Sequence, residues 1–158
     1  MNNPEELFQV QVYPDTVWIQ QGRQCQRLNH DFWFQSDSPD EWLLQKVKIS
    51  IYDEAGSIVL KKRLDNQALR PSITTLPERS LSPNGSLYLF NPFPEFDRHL
   101  TLGCLRYTFQ FKSGSGEIVS IRTDVFPKTY QQQVKLTSLI MAIRNTVYWR
   151  IVCTARSV

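Results

Sequence analysis

The chain has 158 residues, of which 41% are hydrophobic and 12% aromatic, and its formal net charge is +3. This length and composition indicate one globular domain with a packed core and exclude a largely disordered chain. The three cysteines, Cys25, Cys104 and Cys153, are too widely spaced for a disulfide framework or a paired-cysteine zinc site, so we expect free or buried thiols.

The charge is distributed unevenly along the chain. All 15 acidic residues lie within residues 1–124, where 13 Lys and Arg leave a balance of −2. Residues 125–158 contain no acidic residue and five basic ones, namely Lys128, Lys135, Arg144, Arg150 and Arg156. We therefore predict a folded domain over residues 1–133, followed by a basic, acid-free C-terminal segment over residues 134–158.

The first 64 residues alternate between apolar and polar positions, as strands with one buried face do. Three runs of apolar residues that share a face predict three strands: Phe8, Val10 and Val12; Leu28, His30, Phe32 and Phe34; and Leu43, Val47, Ile49 and Ile51. The sequence DEAG at residues 53–56 predicts a hairpin turn, and Ile58, Leu60 and Leu64 continue on the returning strand.

The second half of the domain begins with an irregular stretch over residues 65–85, followed by a short strand over residues 86–90. Two prolines within residues 91–96 prevent ladder hydrogen bonding, so we predict a connection that crosses from one sheet to another. Residues 105–111 and 119–125 then pair around the turn KSGSG.

About seven strands, each with one polar face, predict an all-β fold. Antiparallel strands of this kind form two sheets that bury their apolar faces against each other. An immunoglobulin-like antiparallel β-sandwich fits this pattern best. The Cys–Trp–Cys spacing of antibody domains is absent, so kinship with antibodies does not follow.

The C-terminal segment carries a different apolar pattern. Leu136, Ile140, Ile143, Val147 and Ile151 recur at helical spacing, and Thr137 or Ser138 can cap the start of a helix. The alternative is a final strand over residues 147–152, because VYWRIV is rich in β-forming residues. We favour the helix.

This segment is the best candidate in the sequence for a functional surface. Its predicted interface residues are Leu136, Ile140, Ile143, Val147, Trp149 and Ile151. The segment can pack on its own domain, form an oligomer interface, or contact an acidic partner or an anionic membrane. Packing on the domain is the preferred alternative, self-association comes second, and membrane or nucleic-acid contact comes last.

The sequence contains no recognised catalytic, cofactor-binding or metal-binding motif, so we predict that the protein is not an enzyme. Its two histidines, His30 and His99, are far apart in the sequence and lie in no motif that general acid–base catalysis uses. His30 lies on an apolar face, so we expect a core-edge histidine bonded to the backbone, with a titrating switch or a ligand as the alternative. His99 is expected in a solvated loop.

Three charged clusters have ordinary explanations. The acidic residues within 37–41 and 53–54 are expected in solvated turns, because no calcium-binding loop pattern is present. The run Lys61-Lys62-Arg63 is expected to protect a solvated edge strand from aggregation. For the function of the whole protein, a zinc hydrolase with an unconventional site is the weakest alternative.

The start of the chain, MNNPEELFQV, lacks the basic and apolar run of a secretory signal. No stretch reaches the roughly 18–20 apolar residues that a membrane span needs. The compartment is therefore unknown: periplasmic or extracellular if a leader is missing, and cytoplasmic otherwise.

A family resemblance comes from the middle of the chain. The stretch PSITTLPERSLSPNGSLYLFNPFPEFD, followed by LRYTFQF, resembles the β-sandwich module that precedes the catalytic domain of certain predicted bacterial lysostaphin-type zinc metallopeptidases. VKISIYDEAGSIVLKKRL and FPKTYQQQVKL are similar in character, so the resemblance covers roughly residues 8–136.

The resemblance implies an accessory module rather than a peptidase. The family carries its zinc ligands in the following domain, in His-x-x-x-Asp and His-x-His motifs that do not occur here. The sequence therefore predicts a non-catalytic binding or accessory module for protein or cell-envelope contact. The alternative is a protein that self-associates through its C-terminal segment. Nucleic acid and small-molecule substrates are not expected as partners.

Overall fold

A computed structural model describes residues 7–67, 72–129, 138–143 and 147–152 of the protein. This part of the chain is all-β, with fourteen strands, one short 3-10 turn at Ile73–Thr75 and no α-helix. In chain order the strands are β1 (Phe8–Tyr13), β2 (Trp18–Gln21), β3 (Cys25–Leu28), β4 (Asp31–Ser36), β5 (Trp42–Tyr52), β6 (Ile58–Leu64), β7 (Ser80–Leu81), β8 (Ser86–Phe90), β9 (Glu95–Asp97), β10 (Cys104–Ser113), β11 (Ile118–Val125), β12 (Lys128–Thr129), β13 (Ser138–Ile143) and β14 (Val147–Val152).

The strands form three larger sheets and one separate hairpin. The front sheet has the antiparallel order β1-β4-β8. The main sheet has the antiparallel order β11-β10-β5-β6, and β7 also pairs with β5. The side sheet has the order β12-β2-β3-β9 and includes one parallel pair, β12 with β2. The terminal hairpin consists of β13 and β14.

The core lies between the inner faces of the front sheet and the main sheet. Phe32 lies 4.7 Å from Tyr107 and 4.8 Å from Phe109, measured between ring centroids. Phe34 lies 4.8 Å from Phe109 and 5.3 Å from Phe111. These residues alternate along β4 and β10, which is why one face of each strand is buried and the other is open.

Both predicted hairpins are confirmed. The β5–β6 turn places Gly56 at φ +80°, and Asp53 Oδ1 accepts a hydrogen bond of 2.8 Å from Ser57 N. The β10–β11 turn places Gly116 at φ +94°. L-residues rarely adopt positive φ, so the backbone favours glycine at positions 56 and 116 of these turns.

The strand predicted around His30 is in fact two strands in different sheets. Leu28 ends β3 in the side sheet, whereas Phe32 belongs to β4 in the front sheet. The chain leaves the side sheet where Leu28 N donates to Pro94 O at 2.9 Å. All four residues of the predicted apolar face are buried, so the alternation identified buried positions correctly and missed the change of sheet.

The predicted crossing after β8 is confirmed. β8 lies in the front sheet and β9 in the side sheet, and the two prolines lie between them. Phe93 and Phe96 are buried. Phe90, by contrast, is 63% exposed. It lies at an outward position of β8, two residues beyond Tyr88.

The helix favoured for the C-terminal segment is wrong for its described residues. Ser138–Ile143 and Val147–Val152 pair as antiparallel strands, with Met141 opposite Trp149. Densely apolar segments satisfy helical and alternating patterns alike, and here the β-branched and aromatic residues favour the strand. The alternative of a final strand over residues 147–152 is the one that the structure contains.

Candidate functional site

His30 is buried at the edge of the core, with 2% of its surface exposed. Its Nε2 lies 3.1 Å from the hydroxyl of Tyr107, and its Nδ1 lies 3.5 Å from Nδ2 of Asn91. The rings of Phe32 and Tyr107 meet the imidazole edge-on, at centroid distances of 5.3 and 5.6 Å. The prediction of a core-edge histidine is therefore correct, but its partners are side chains and not the backbone.

Burial lowers the pKa of His30 to about 4, and the nearby Asp31 carboxylate opposes this shift only in part. The imidazole is therefore neutral at neutral pH. Burial also raises the pKa of Tyr107, so its hydroxyl keeps its proton. The Tyr107 hydroxyl lies 3.4 Å from Oδ1 of Asn91, which links the three polar groups into one buried cluster. We interpret this cluster as structural.

The other sequence candidates for chemistry are His99 and the cysteines. His99 is exposed after β9, and its backbone N–H donates to Asp97 Oδ1. Cys25 and Cys104 are half-buried free thiols, while Cys153 lies outside the described residues. Within the described ranges, no three His, Cys, Asp or Glu side chains are grouped so that they could hold a metal ion. No helix in this part of the chain is long and apolar enough to cross a membrane.

The outward positions of the front sheet form an aromatic face. Its nine residues, none of them Lys or Arg, are Gln9, Gln11, Tyr13, Asp31, Trp33, Gln35, Ser86, Tyr88 and Phe90. The strand register places Trp33 between Gln11 and Tyr88. Tyr13, Tyr88 and Phe90 are exposed, and the last two rings meet edge-on at 5.5 Å.

Polar groups hold parts of the aromatic face in position. The Tyr88 hydroxyl donates to Asp31 Oδ2 at 3.0 Å, and this hydrogen bond raises the pKa of Tyr88. Asp31 Oδ1 accepts from Asn91 N at 3.0 Å, which ties the end of the face to the buried cluster. A hollow of about 440 Å³ borders the face and is lined by Leu76, Pro77, Glu78, Tyr88, Leu89 and Phe90.

The outward positions of the main sheet form a basic face on the opposite side of the core. Its seven cationic residues are Lys46, Lys48, Lys61, Arg63, Arg106, Lys112 and Arg122. Asp124 is the acidic residue among these strand positions, and Asp65 approaches Arg63 from the end of β6 at 3.5 Å. The register aligns Arg63, Lys48, Thr108 and Arg122 across four strands.

One cation of the basic face is neutralised by a close partner. The Arg106 guanidinium donates from Nε and from a terminal nitrogen to the two Asp124 carboxylate oxygens, each at 2.8 Å. This pairing lowers the pKa of Asp124 and raises that of Arg106. Arg106 also lies 5.3 Å from the Tyr52 ring centroid. Lys48, Lys61, Lys112 and Arg122 are exposed.

The run Lys61-Lys62-Arg63 lies on an edge strand, as predicted, because β6 ends the main sheet. Lys61 and Arg63 occupy outward positions of the basic face. Lys62 instead turns towards the side sheet, where its Nζ donates to Glu95 O at 3.2 Å and lies 4.8 Å from the Phe96 ring centroid. The expectation of a fully solvated run is therefore wrong for Lys62.

The predicted C-terminal interface residues fall on the terminal hairpin, except Leu136, which lies outside the described residues. The register pairs Leu139 with Ile151, Met141 with Trp149 and Ile143 with Val147. Residues two apart in a strand share a face, so these six apolar residues occupy one face of the hairpin. Ile140 occupies the other face, opposite Arg150. The hairpin therefore groups four of the six predicted interface residues on one face.

Sequence reasoning missed both faces of the domain as surfaces. The alternation had already placed Lys46, Lys48 and Arg122 outward. Only the strand order brings them together, since β5 and β11 both pair with β10. The aromatic face could have been detected from aromatic residues such as Trp33 and Tyr88, which alternate with buried residues at positions where an outward side chain is normally polar.

Comparisons with known proteins give little further information. No family model matches the chain, and no curated protein matches it. Among solved structures, the chain is similar to one titled "X-ray structure of Northeast Structural Genomics Consortium target SoR45", with 11% sequence identity and a TM-score of 0.49. The match covers 84% of this chain and 96% of that one.

Proposed function

We propose that the protein is a non-catalytic, immunoglobulin-like β-sandwich module that binds a protein or cell-envelope partner through its aromatic face. The observation that carries this proposal is the grouping of Tyr13, Trp33, Tyr88 and Phe90 on one sheet face without Lys or Arg. The cores of protein interfaces are enriched in aromatic residues and depleted of Lys. Contiguous exposed apolar patches on soluble domains commonly mark interaction sites.

The non-catalytic part of the proposal rests on the sequence, in which His30 and His99 lie in no catalytic motif. Burial of His30 supports it, because a neutral imidazole enclosed by aromatic rings is not within reach of an external substrate. The resemblance to the modules that precede lysostaphin-type peptidase domains supports an accessory role. It does not identify the partner.

Photo-crosslinking from the full chain tests this proposal. A benzophenone amino acid replaces Phe90 on the aromatic face or, as the matched control, Gln20 at an exposed position of the side sheet. Irradiation of the source cells should give a discrete adduct from position 90 and none from position 20. Equal adduct patterns from the two positions would contradict the proposal. Benzophenone in place of Gln35, on the same face, should also form this adduct, and the adduct should weaken when the Tyr88→Ser substitution is added.

Self-association through the terminal hairpin is the second candidate. It is supported by the six apolar residues that share one face of β13 and β14, because an isolated two-stranded hairpin is marginal in water and needs cover. Light scattering on the full chain tests it. Val147→Ser with Trp149→Ser should convert a dimer to a monomer, whereas Tyr148→Ser, on the other face, should not. A monomeric unmodified chain would remove this candidate.

A further inference from the structure

We propose that the basic face of the main sheet binds the surface of an anionic phospholipid membrane. The inference concerns a different surface from the aromatic face and does not depend on the proposed function. It starts from the seven cations that the order β11-β10-β5-β6 brings onto one side of one sheet.

The face keeps most of its positive charge for an external partner. The charge of Arg106 is neutralised by Asp124, and Arg63 forms an ion pair with Asp65. Four of the remaining cations are exposed with no acidic residue opposite them in the strand register: Lys48, Lys61, Lys112 and Arg122. Lys46 is half-buried and lines the same hollow as Asp65. Nearby acids lie beyond the strands, at Asp53 and Glu54 in one turn, at Glu117 in the other, and at Asp40 and Glu41, which line a hollow with Lys112.

The geometry of the face suits a planar anionic surface. Four neighbouring strands span about 14 Å across, since adjacent strands lie about 4.8 Å apart. Surface charges act over a Debye length of about 8 Å at physiological ionic strength. Because all these cations project from one side of one sheet, a flat bilayer can bring them within that distance together. Each Lys or Arg near an anionic membrane surface contributes about 1 kcal/mol, equivalent to about fivefold in affinity.

The same residues fit nucleic acid and protein partners less well. Binding of single strands uses aromatic side chains on which bases stack, and the aromatic ring of this face, Tyr52, lies beneath the Arg106 guanidinium. Reading a duplex requires a helix or a two-stranded ribbon that enters a groove, and the four strands that carry these cations span about 14 Å, more than the width of about 12 Å of the major groove. Protein interfaces are depleted of Lys, and four of the seven cations are lysines.

The aromatic face and the basic face lie on opposite sides of the core. The aromatic face and the basic face belong to sheets that pack on each other through their inner sides, as the Phe34–Phe109 contact shows. A domain that lies on a membrane by its basic face therefore turns its aromatic face away from the lipid.

Vesicle co-sedimentation of the full chain tests this inference. Binding is compared between vesicles of phosphatidylcholine alone and vesicles that also contain phosphatidylglycerol. We expect binding to the anionic vesicles alone, and we expect it to weaken as salt is added. Lys48→Gln with Lys61→Gln should reduce the affinity about 30-fold, from about 1 kcal/mol for each lysine.

A charge-matched control separates the effect of the basic face from that of overall charge. Arg23→Gln with Lys128→Gln removes the same charge from exposed residues outside the main sheet and should leave the affinity within about twofold. Circular dichroism confirms that both double variants are folded. Equal losses in the two variants, no loss in the face variant, or no preference for anionic vesicles would overturn the inference. Binding to a DNA duplex or to single-stranded DNA without vesicle binding would also overturn it.

Discussion

His30 shows how a polar residue can belong to the core of this protein. It lies between the front sheet and the main sheet, and its ring nitrogens meet Tyr107 and Asn91. A buried polar group is tolerated when it is hydrogen-bonded, and a buried charge is much more costly. Protonation of this imidazole is therefore coupled to unfolding.

We expect the protein to lose stability as the pH falls from about 6.5 towards 4 because of His30. Its pKa is lowered to about 4 in the folded protein, while the unfolded chain has the ordinary value near 6.5. Acid therefore protonates the unfolded state first and favours it. The loss attributable to His30 is about 2.5 kcal/mol at pH 4.5. Urea unfolding at about pH 7 and pH 4.5 measures it.

The control for this prediction is His30→Gln, which removes the titrating group and keeps hydrogen-bonding capacity. Between about pH 7 and about pH 4.5 the free energy of unfolding should fall for both proteins. The fall should be about 2.5 kcal/mol smaller for the variant than for the unmodified chain. Carboxylates titrate in both proteins and cancel in the difference. The prediction is wrong if the two proteins lose the same stability.

At the scale of elements, short turns determine how the long strands pair. The β10–β11 hairpin contains Gly114 and Gly116, and at neither position would a Cβ lie within 4 Å of an atom beyond the glycine and its two chain neighbours. The two glycines differ in backbone conformation, because Gly116 has φ +94° and Gly114 does not have a positive φ. Alanine substitution at the two positions therefore isolates the cost of positive φ, because both positions have space for a methyl group and only Gly116 has positive φ.

Gly116→Ala should reduce the free energy of unfolding by about 1–2 kcal/mol, because an L-residue at positive φ brings its Cβ against the backbone. Gly114→Ala, in the same turn, should change it by less than about 0.5 kcal/mol. Thermal or urea unfolding of the two variants gives the comparison. Equal effects would mean that the backbone angle at Gly116 does not set the cost.

The elements also show where patterns in the sequence were sufficient and where they were not. The hairpin over residues 53–56 was predictable, because turn chemistry and alternation agree there. The strand through His30 was predicted as one element, because alternation continues across a change of sheet. The terminal hairpin was predicted as a helix, because a run such as Leu139–Ile143 with several apolar residues has no unique period.

At the scale of the whole molecule, charge is separated across the core. The basic face places Lys48 directly opposite Arg63 in the register of β5 and β6. Like charges at such positions destabilise a sheet by a few tenths of a kcal/mol or more. A domain that keeps this arrangement does so at some cost to its own stability, as binding surfaces commonly do.

Lys48→Glu should therefore stabilise the protein by about 0.5 kcal/mol at low salt, since it turns a repulsive pair into an attractive one. The gain should shrink at about 1 M salt, where the Debye length is about 3 Å. Lys112→Glu is the control, because Lys112 lies opposite Ile118 and Leu43 in the register. The free energy of unfolding of both variants is measured at low salt and at about 1 M salt. An equal gain in stability in Lys112→Glu would refute the explanation that the Lys48–Arg63 pair is repulsive.

Apart from Leu43, which a register shift in β5 leaves 36% exposed, the sequence by itself determined which side chains of the long strands share a face and where the tight turns lie. Both follow from local rules, namely a side-chain period of two and the conformational freedom of glycine. The tertiary structure alone decided which strands are neighbours. Arg63, Lys48 and Arg122 become one row, and Trp33 and Tyr88 one patch, through pairings between residues far apart in the chain. Such pairings depend on the cooperative burial of the whole core, which no local pattern specifies.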